Sequence, residues 1–205
     1  MNICLVLAYD ASVFATLKDI IDVLKTCLEM ITQEKLILHI GLHTDPGVHA
    51  QKQVINCITR KTFDPKKLLK SLNRMLPVAI RIWHIKEMPL NFHAPSGILS
   101  MKYHYWISCA PFQNPCQSSF VWHVAHHHTH LKEKMRETTK HIPSIRRMTL
   151  IEKSDLVFIL EIWGRLACQS VRALIYRIIN KQTNASHDQL APPWGLFLKQ
   201  LDYKE

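Results

Sequence analysis

Hydrophobic positions follow two different periods along the chain, and together they predict a mixture of helices and strands. Apolar side chains recur at helical spacing over residues 16–31, 65–76, 131–142 and 166–179. Shorter apolar or alternating runs predict strands over residues 2–8, 36–40, 53–57, 80–85, 102–108 and 195–203, and a hairpin over residues 146–162. A β-α-β-β-like order therefore occurs twice, which favours an α+β fold with helices against a largely antiparallel sheet.

The pattern breaks once near the middle of the chain. Pro95, Ser96 and Gly97 interrupt the periodicity between residues 95 and 101. We therefore expect an N-terminal half over residues 1–98 and a C-terminal half over residues 99–205.

Composition narrows the class of protein. No apolar run approaches the roughly 20 residues that cross a bilayer. The start, MNICLVLAYD, has no basic lead and reaches Asp10 early, so it is predicted to be a buried strand and not a secretory signal. The six cysteines include no C-x-x-C pair, which is typical of free thiols in a reducing compartment. A cytoplasmic protein without a membrane partner is expected.

The charge balance predicts what kind of partner the protein binds. The formal net charge is +10, which favours binding to a polyanion. The cations concentrate in two clusters: Arg60, Lys61, Lys66, Lys67, Lys70 and Arg74, and then Lys132, Lys134, Arg136, Lys140, Arg146 and Arg147. Either cluster alone is typical of a solvated helix face, but together they make a nucleic acid the leading partner.

One turn carries candidate chemistry. In GLHTDPGVHA, residues 41–50, Asp45 stands between two predicted strands. Asp-Pro-Gly sequences commonly do no more than build turns. A carboxylate on a rigid turn can also act as a nucleophile or a base against a nucleobase flipped out of its stack.

The motifs around this turn resemble a known family. GLHTDPGVHAQKQV is similar to the G-R-T-D-A-G-V-H-A…Q-V motif of the tRNA pseudouridine synthase A family. In chain order, LVLAYD, LNRMLP, NFHA, KYHYWI, SVRALI and APPWGLFLKQLDY resemble further motifs of that family, so the series covers nearly the whole chain.

This resemblance implies a fold and an activity. The fold would be two ferredoxin-like halves that share one sheet, with a positively charged RNA-binding cleft between them, and the protein would usually be a homodimer. The activity would be an isomerase, which breaks a uridine's glycosidic bond in the tRNA anticodon stem-loop and rejoins the uracil through carbon. No cofactor and no metal are implied.

The resemblance also implies the site residues. Asp45 falls on the catalytic aspartate, Tyr103 on the tyrosine that stacks against the flipped base and assists proton transfer, and Arg172 on the arginine that pairs with the aspartate. A buried arginine in an apolar helix would need an acidic partner, which Asp45 would supply. His43, Thr44 and Tyr105 are the implied substrate-binding residues, although Tyr105 could equally be an ordinary strand aromatic.

The chain also departs from the family pattern. Leu42 and His43 replace a glycine and an arginine, and Pro95 replaces a second arginine. A G-W-Q segment is missing after Phe14, and a G-x-H-D-F-x-x-F region is missing before Ser144. We therefore expect a shortened and divergent member, and a catalytically weak or inactive RNA-binding relative is the alternative.

A histidine-rich segment, WHVAHHHTH, offers a third hypothesis. It contains His123, His126, His127, His128 and His130. Such spacing can bind zinc or nickel, but no cysteine pair and no helical H-E-x-x-H arrangement accompanies it. A loop that becomes cationic below neutral pH near RNA is the favoured interpretation.

Overall fold

A computed structural model describes residues 1–124, 142–154, 156–180 and 189–203. Within them lie three α-helices and nine strands. The strands are β1 (Asn2–Tyr9), β2 (His39–Ile40), β3 (His49–Ile58), β4 (Ile80–Met88), β5 (Ile98–Ser108), β6 (Trp122–His123), β7 (Ile145–Ser154), β8 (Val157–Gly164) and β9 (Leu196–Tyr203), and the helices are α1 (Leu17–Thr32), α2 (Pro65–Met75) and α3 (Cys168–Asn180).

The chain forms two compact units. Unit 1 contains Met1–Leu99 and the residues from Lys199 onward, and unit 2 contains Ser100–Leu198. Strand β9 therefore contributes its first residues to unit 2 and the remainder to unit 1.

In unit 1, β1 lies between β3 and β4 and pairs antiparallel with both. Alternate residues of β1 fill the core: Ile3, Leu5 and Leu7 are fully buried. Helix α1 begins with a capping box between Thr16 and Asp19 and buries a stripe at helical spacing, which consists of Leu17, Ile20, Ile21, Leu24, Cys27 and Leu28. Helix α2 adds Leu68 and Leu72.

In unit 2, β8 lies between β5 and β7, again antiparallel, and the short β6 runs parallel to β5. Tyr103, Tyr105 and Ile107 occupy one buried face of β5. Helix α3 buries an apolar stripe made of Cys168, Val171, Leu174, Ile175, Ile178 and Ile179.

These elements are compatible with the α+β class, and the predicted hairpin forms as β7 and β8. The predicted strand over residues 36–40 is wrong in extent, since only His39 and Ile40 pair with β3. The reason is a contact with α1: the Leu36 N–H donates to the Glu29 carboxylate at 2.9 Å and not to a strand. Helix α3 starts two residues later than predicted, at Cys168.

Some predictions remain open. Most of the helix expected over residues 131–142 lies outside the described residues. The ferredoxin-like character of the halves, the cleft and the boundary after residue 98 remain predictions. None of the described helices has both the length and the apolar character needed to span a membrane.

Candidate active site

Asp45 lies in a closed turn that leads into β3. The Val48 N–H donates to the Asp45 carbonyl at 3.1 Å, and Gly47 has a φ of 78°, a conformation that side chains disfavour. Asp45 is half-buried, whereas the neighbouring Thr44 and Val48 are buried. The backbone of the turn is therefore fixed, and the carboxylate occupies a position of intermediate exposure.

Side chains from β1 and β3 anchor this turn on both sides of His43. The Tyr9 hydroxyl lies 2.7 Å from Thr44 Oγ1, and both residues are buried. The buried Gln53 accepts a hydrogen bond from the Leu42 N–H at 3.2 Å and donates to the Leu42 carbonyl at 2.7 Å. His43, between two anchored neighbours, is exposed.

A buried histidine supports the start of β3. The Ala11 N–H donates to His49 Nδ1 at 3.1 Å, and His49 is 1% exposed. Together with Tyr9 and Gln53, this residue supports the turn although the sequence analysis did not assign it a role. The available signal was that Tyr9 lies in LVLAYD and that His49 and Gln53 lie in GLHTDPGVHAQKQV, the two segments that flank Asp45 in the resemblance.

Tyr103 is fixed inside unit 2. Its side chain is 1% exposed, and its hydroxyl donates to the Leu166 carbonyl at 2.9 Å. The Cys168 thiol lies 3.8 Å from the same oxygen, in position to donate to it. The hydroxyl of Tyr103 therefore holds the chain at the point where α3 begins.

Tyr105 is fixed two residues farther along the same face of β5. It is fully buried, its hydroxyl donates to the Pro192 carbonyl at 2.8 Å, and its ring meets Trp122 edge-on with centroids 6.1 Å apart. Burial raises the pKa of Tyr105, and the positive charge of Arg172 offsets only part of that rise. Tyr105 thus remains a protonated hydrogen-bond donor.

Arg172 binds the backbone of Ala191, the residue before the one that Tyr105 binds. This residue of α3 is half-buried, its Nε–H donates to the Ala191 carbonyl at 2.7 Å, and its own carbonyl accepts from the Ala191 N–H at 3.2 Å. Tyr105 and Arg172 are therefore brought together on Ala191 and Pro192, which belong to the APPWGL motif. The resemblance includes this motif but implies no role for its residues.

Gly195, in the same motif, lies so close to the Tyr105 ring that only glycine fits there. A Cβ at Gly195 would lie 2.8 Å from Tyr105 Cζ. Tyr105 is therefore packed against the backbone of Gly195 without space for an added methyl group.

The predicted catalytic residues are divided between the units. Asp45 belongs to unit 1, and Tyr103 and Arg172 belong to unit 2. The ion pair between Asp45 and Arg172 remains a prediction.

The metal hypothesis concerns residues that are mostly not described. Over residues 1–124, 142–154, 156–180 and 189–203, no group of three or more His, Cys, Asp or Glu side chains is arranged to hold a metal ion. His123 Nε2 donates to the Ala110 carbonyl at 2.7 Å. The other four histidines of the segment, and four of the six cations of the second basic cluster, lie outside the described residues.

Comparison with known proteins finds relatives that carry the same protein name. No family model matches the chain. The chain is 36% identical over 101 residues to a protein named tRNA pseudouridine synthase A 2 from Protochlamydia amoebophila (strain UWE25), an alignment that covers 49% of this chain and 38% of the relative. It is 32% identical over 130 residues to a tRNA pseudouridine synthase A from Chloroflexus aurantiacus (strain J-10-fl), with 60% of this chain and 47% of the relative covered.

The alignments cover less than half of these relatives' own length. Among solved structures, the chain has a TM-score of 0.29 and 10% identity to the CRISPR endoribonuclease Cse3 bound to a 19-nucleotide RNA, over 86% of this chain and 90% of the other, a likeness too low to carry an argument. The similarity to the curated relatives supports a relationship to the tRNA pseudouridine synthase A family, the family that the motifs around Asp45 resemble.

Proposed function

We propose that this protein is a tRNA pseudouridine synthase, an isomerase that converts uridine to pseudouridine in the tRNA anticodon stem-loop. The observation that carries the proposal is the Asp45 turn, with its motif GLHTDPGVHA held rigidly between β2 and β3. The similarity of the chain to relatives named tRNA pseudouridine synthase A also supports it.

The proposed chemistry is an intramolecular exchange of bonds. Asp45 acts as a nucleophile or a base against a uridine flipped out of its stack. The bond from the ribose to N1 of uracil breaks, a bond from the ribose to C5 forms, and the hydrogen displaced from C5 is balanced by one gained at N1. No external oxidant, reductant or cofactor is needed.

Tyr103 and Arg172 complete the proposed site. Tyr103 stacks against the flipped base and assists the final proton transfer, and because its ring is 1% exposed, the base can reach it only if the covering groups move. Arg172 pairs with Asp45. A guanidinium has five N–H donors, so the Nε contact with Ala191 does not exhaust its capacity. His43, Thr44 and Tyr105 belong to the substrate-binding part of the site.

The remaining parts of the proposal concern assembly. Residues 1–98 would carry Asp45 and residues 99–205 Tyr103 and Arg172, in two ferredoxin-like halves with a cationic cleft for tRNA. A homodimer in the cytoplasm is the expected form. The formal net charge of +10 supports a polyanionic substrate.

The alternative is a catalytically weak or inactive RNA-binding relative. Two observations favour it: His43 and Pro95 stand where the family pattern has arginines, and both are exposed, where a permanent charge would meet phosphate. The two functions differ in whether unmodified tRNA acquires pseudouridine.

The deciding experiment is to incubate the purified protein with unmodified tRNA and map pseudouridine by chemical probing. Formation of pseudouridine at defined positions by the wild type supports the enzyme, and tight binding without modification supports the alternative. A chelator should leave the rate unchanged, whereas a rate that is lost with chelator and restored by zinc would revive the metal hypothesis.

A further inference from the structure

A hollow of about 500 Å³ lies on unit 1, away from the helices. Its lining residues are Ala8, Gln51, Lys52, Trp83 and His84. Ala8 points away from the helical core, since its neighbours Leu7 and Tyr9 are 0% and 4% exposed on the other face of β1. Asp45 and Gln51 stand only a few residues apart in the chain, so the hollow is at the end of β3 that the Asp45 turn enters.

Two β-bulges create this hollow, one on each side of β1. Leu7 pairs with Gln53 and Tyr9 with Ala50, so Gln51 and Lys52 together stand opposite Ala8. On the other side, Val6 pairs with His84 and Leu7 with Ile82, so Trp83 is an extra residue in β4. Bulges redirect side chains and are frequent beside functional sites. Here the residues at both bulges line the same hollow.

Trp83 is fixed, yet its ring remains accessible. The indole N–H donates to the Gln51 carbonyl at 3.1 Å, a bond that reaches from β4 across β1 to β3. The small side chain of Ala8, between them, leaves room for the indole. Trp83 is nevertheless 52% exposed. A large aromatic ring with a defined orientation and an open face is a platform for stacking.

The charges around the platform favour an anion. Lys52 is exposed, and the ammonium group of Lys199 donates to Gln51 Oε1. The lining residues include no carboxylate. Trp83 therefore combines with nearby cations in the way that single-stranded nucleic acids are bound: bases stack on an aromatic ring, and phosphates meet lysine.

We propose that Trp83, with Lys52 beside it, is a stacking subsite for one unpaired nucleotide of the RNA substrate. The base lies on the exposed face of the indole, and Lys52 contacts a flanking phosphate. The subsite would hold a nucleotide next to the uridine presented to Asp45, and in this respect it rests on the proposed function. A single stacking face provides no contacts to base edges, so the subsite should accept any base.

The test is binding of a labelled short oligouridylate, compared with a strand of equal length that lacks bases, by fluorescence anisotropy. Trp83→Ala should weaken binding of the oligouridylate roughly tenfold or more and leave binding of the abasic strand unchanged. Trp83→Phe should show a smaller loss. Because both strands are measured on the same variant, a loss that is specific to bases is distinguished from a general loss of binding.

Two matched controls separate stacking from charge. Phe112→Ala removes another aromatic residue, 86% exposed, and should leave both affinities unchanged. Lys52→Gln should weaken both strands to a similar degree and reduce the slope of log K against log salt by about one. Lys35→Gln, which removes an ammonium group of unit 1 that is 95% exposed, should have little effect.

The inference is overturned if Trp83→Ala weakens binding of both strands equally, or if the variant still binds the strand with bases more tightly, as the wild type does. This outcome is distinct from failure of the proposed function. A wild type that prefers bases through Trp83 but forms no pseudouridine supports the subsite and refutes the synthase, whereas pseudouridine formation with an unaltered base preference in Trp83→Ala supports the synthase and refutes the subsite.

Discussion

The turn that carries Asp45 and the strand that carries Tyr103 are held in opposite ways. In unit 1, Tyr9 and Gln53 fix the residues on both sides of His43, while His43 is exposed and Asp45 half-buried. In unit 2, the functional side chains are themselves fixed. The hydroxyls of Tyr103 and Tyr105 and the Arg172 guanidinium all donate to backbone carbonyls.

The two units should therefore differ in how substitutions affect their stability. The exposed His43 can be replaced with little loss of stability, so changes at His43 should report on function. A side chain that satisfies a buried carbonyl also supports the fold, because an unsatisfied acceptor is costly. Changes at Tyr105 or Arg172 should therefore alter stability and function together.

The largest expected effect is that of Asp45→Asn. The amide has nearly the shape of the carboxylate but no charge, so pseudouridine formation should fall by at least about 100-fold while tRNA affinity stays close to that of the wild type. The measurement is single-turnover pseudouridine formation beside a binding titration. A variant that retains a substantial part of the wild-type rate would remove Asp45 from the catalytic role.

Arg172→Ala should reduce both stability and activity. It removes a charged hydrogen bond to Ala191 and, in the proposed site, the partner of Asp45. For a half-buried side chain we expect a loss of about 2–3 kcal/mol in the free energy of unfolding. Urea denaturation measures this loss. Arg172→Lys is the control, since it keeps the charge but loses the planar fork, and it should recover part of the stability.

Unchanged unfolding in Arg172→Ala would contradict the structural role inferred from the Ala191 contact. An intermediate outcome is also informative. If Arg172→Ala has reduced stability but a normal rate per folded molecule, the structural role of the Ala191 contact is supported and the pairing with Asp45 is refuted.

Tyr105→Phe compares the two units directly with Tyr9→Phe. Loss of the Tyr105 hydroxyl leaves the Pro192 carbonyl without this donor, and we expect a cost of about 1–2 kcal/mol in unfolding free energy. Tyr9→Phe leaves a Thr44 hydroxyl, which can rotate towards another partner, so its cost should be smaller. Equal losses in the two variants would show that the two units respond alike.

The sequence was sufficient for most elements because their signals are local. Asp64 and Pro65 mark the start of α2, and the stripe from Leu17 to Leu28 marks α1. It was insufficient for the strand over residues 36–40, since the Glu29 carboxylate that binds the Leu36 N–H depends on how α1 ends in space. Local pattern alone could not reveal this contact.

The roles assigned to the residues of the candidate site remain predictions. Motif resemblance indicated Asp45, Tyr103 and Arg172, but it gave no role to Ala191 and Pro192, whose carbonyls act through their backbone and leave little trace in side-chain type. The paired bulges at Gln51–Lys52 and Trp83 were also not predictable, because a bulge is a property of the register between strands.

The smallest expected effect is that of His43→Arg, which tests the exposed side of the Asp45 turn. Arginine carries a permanent charge and a forked set of donors suited to phosphate, whereas histidine as a residue type is mostly neutral at pH 7. If position 43 meets the RNA, the variant should bind tRNA more tightly by about 1 kcal/mol and show a steeper salt dependence. Its melting temperature should not change, because the turn is anchored through Thr44 and Leu42 and not through His43. Thr26→Arg adds a charge at an exposed position of α1 in unit 1 and measures the general effect of charge. A gain in both variants would reflect that general effect, and equal affinity of wild type and His43→Arg would mean that this position does not contact the RNA, so that unit 1 would have to hold its substrate through other residues.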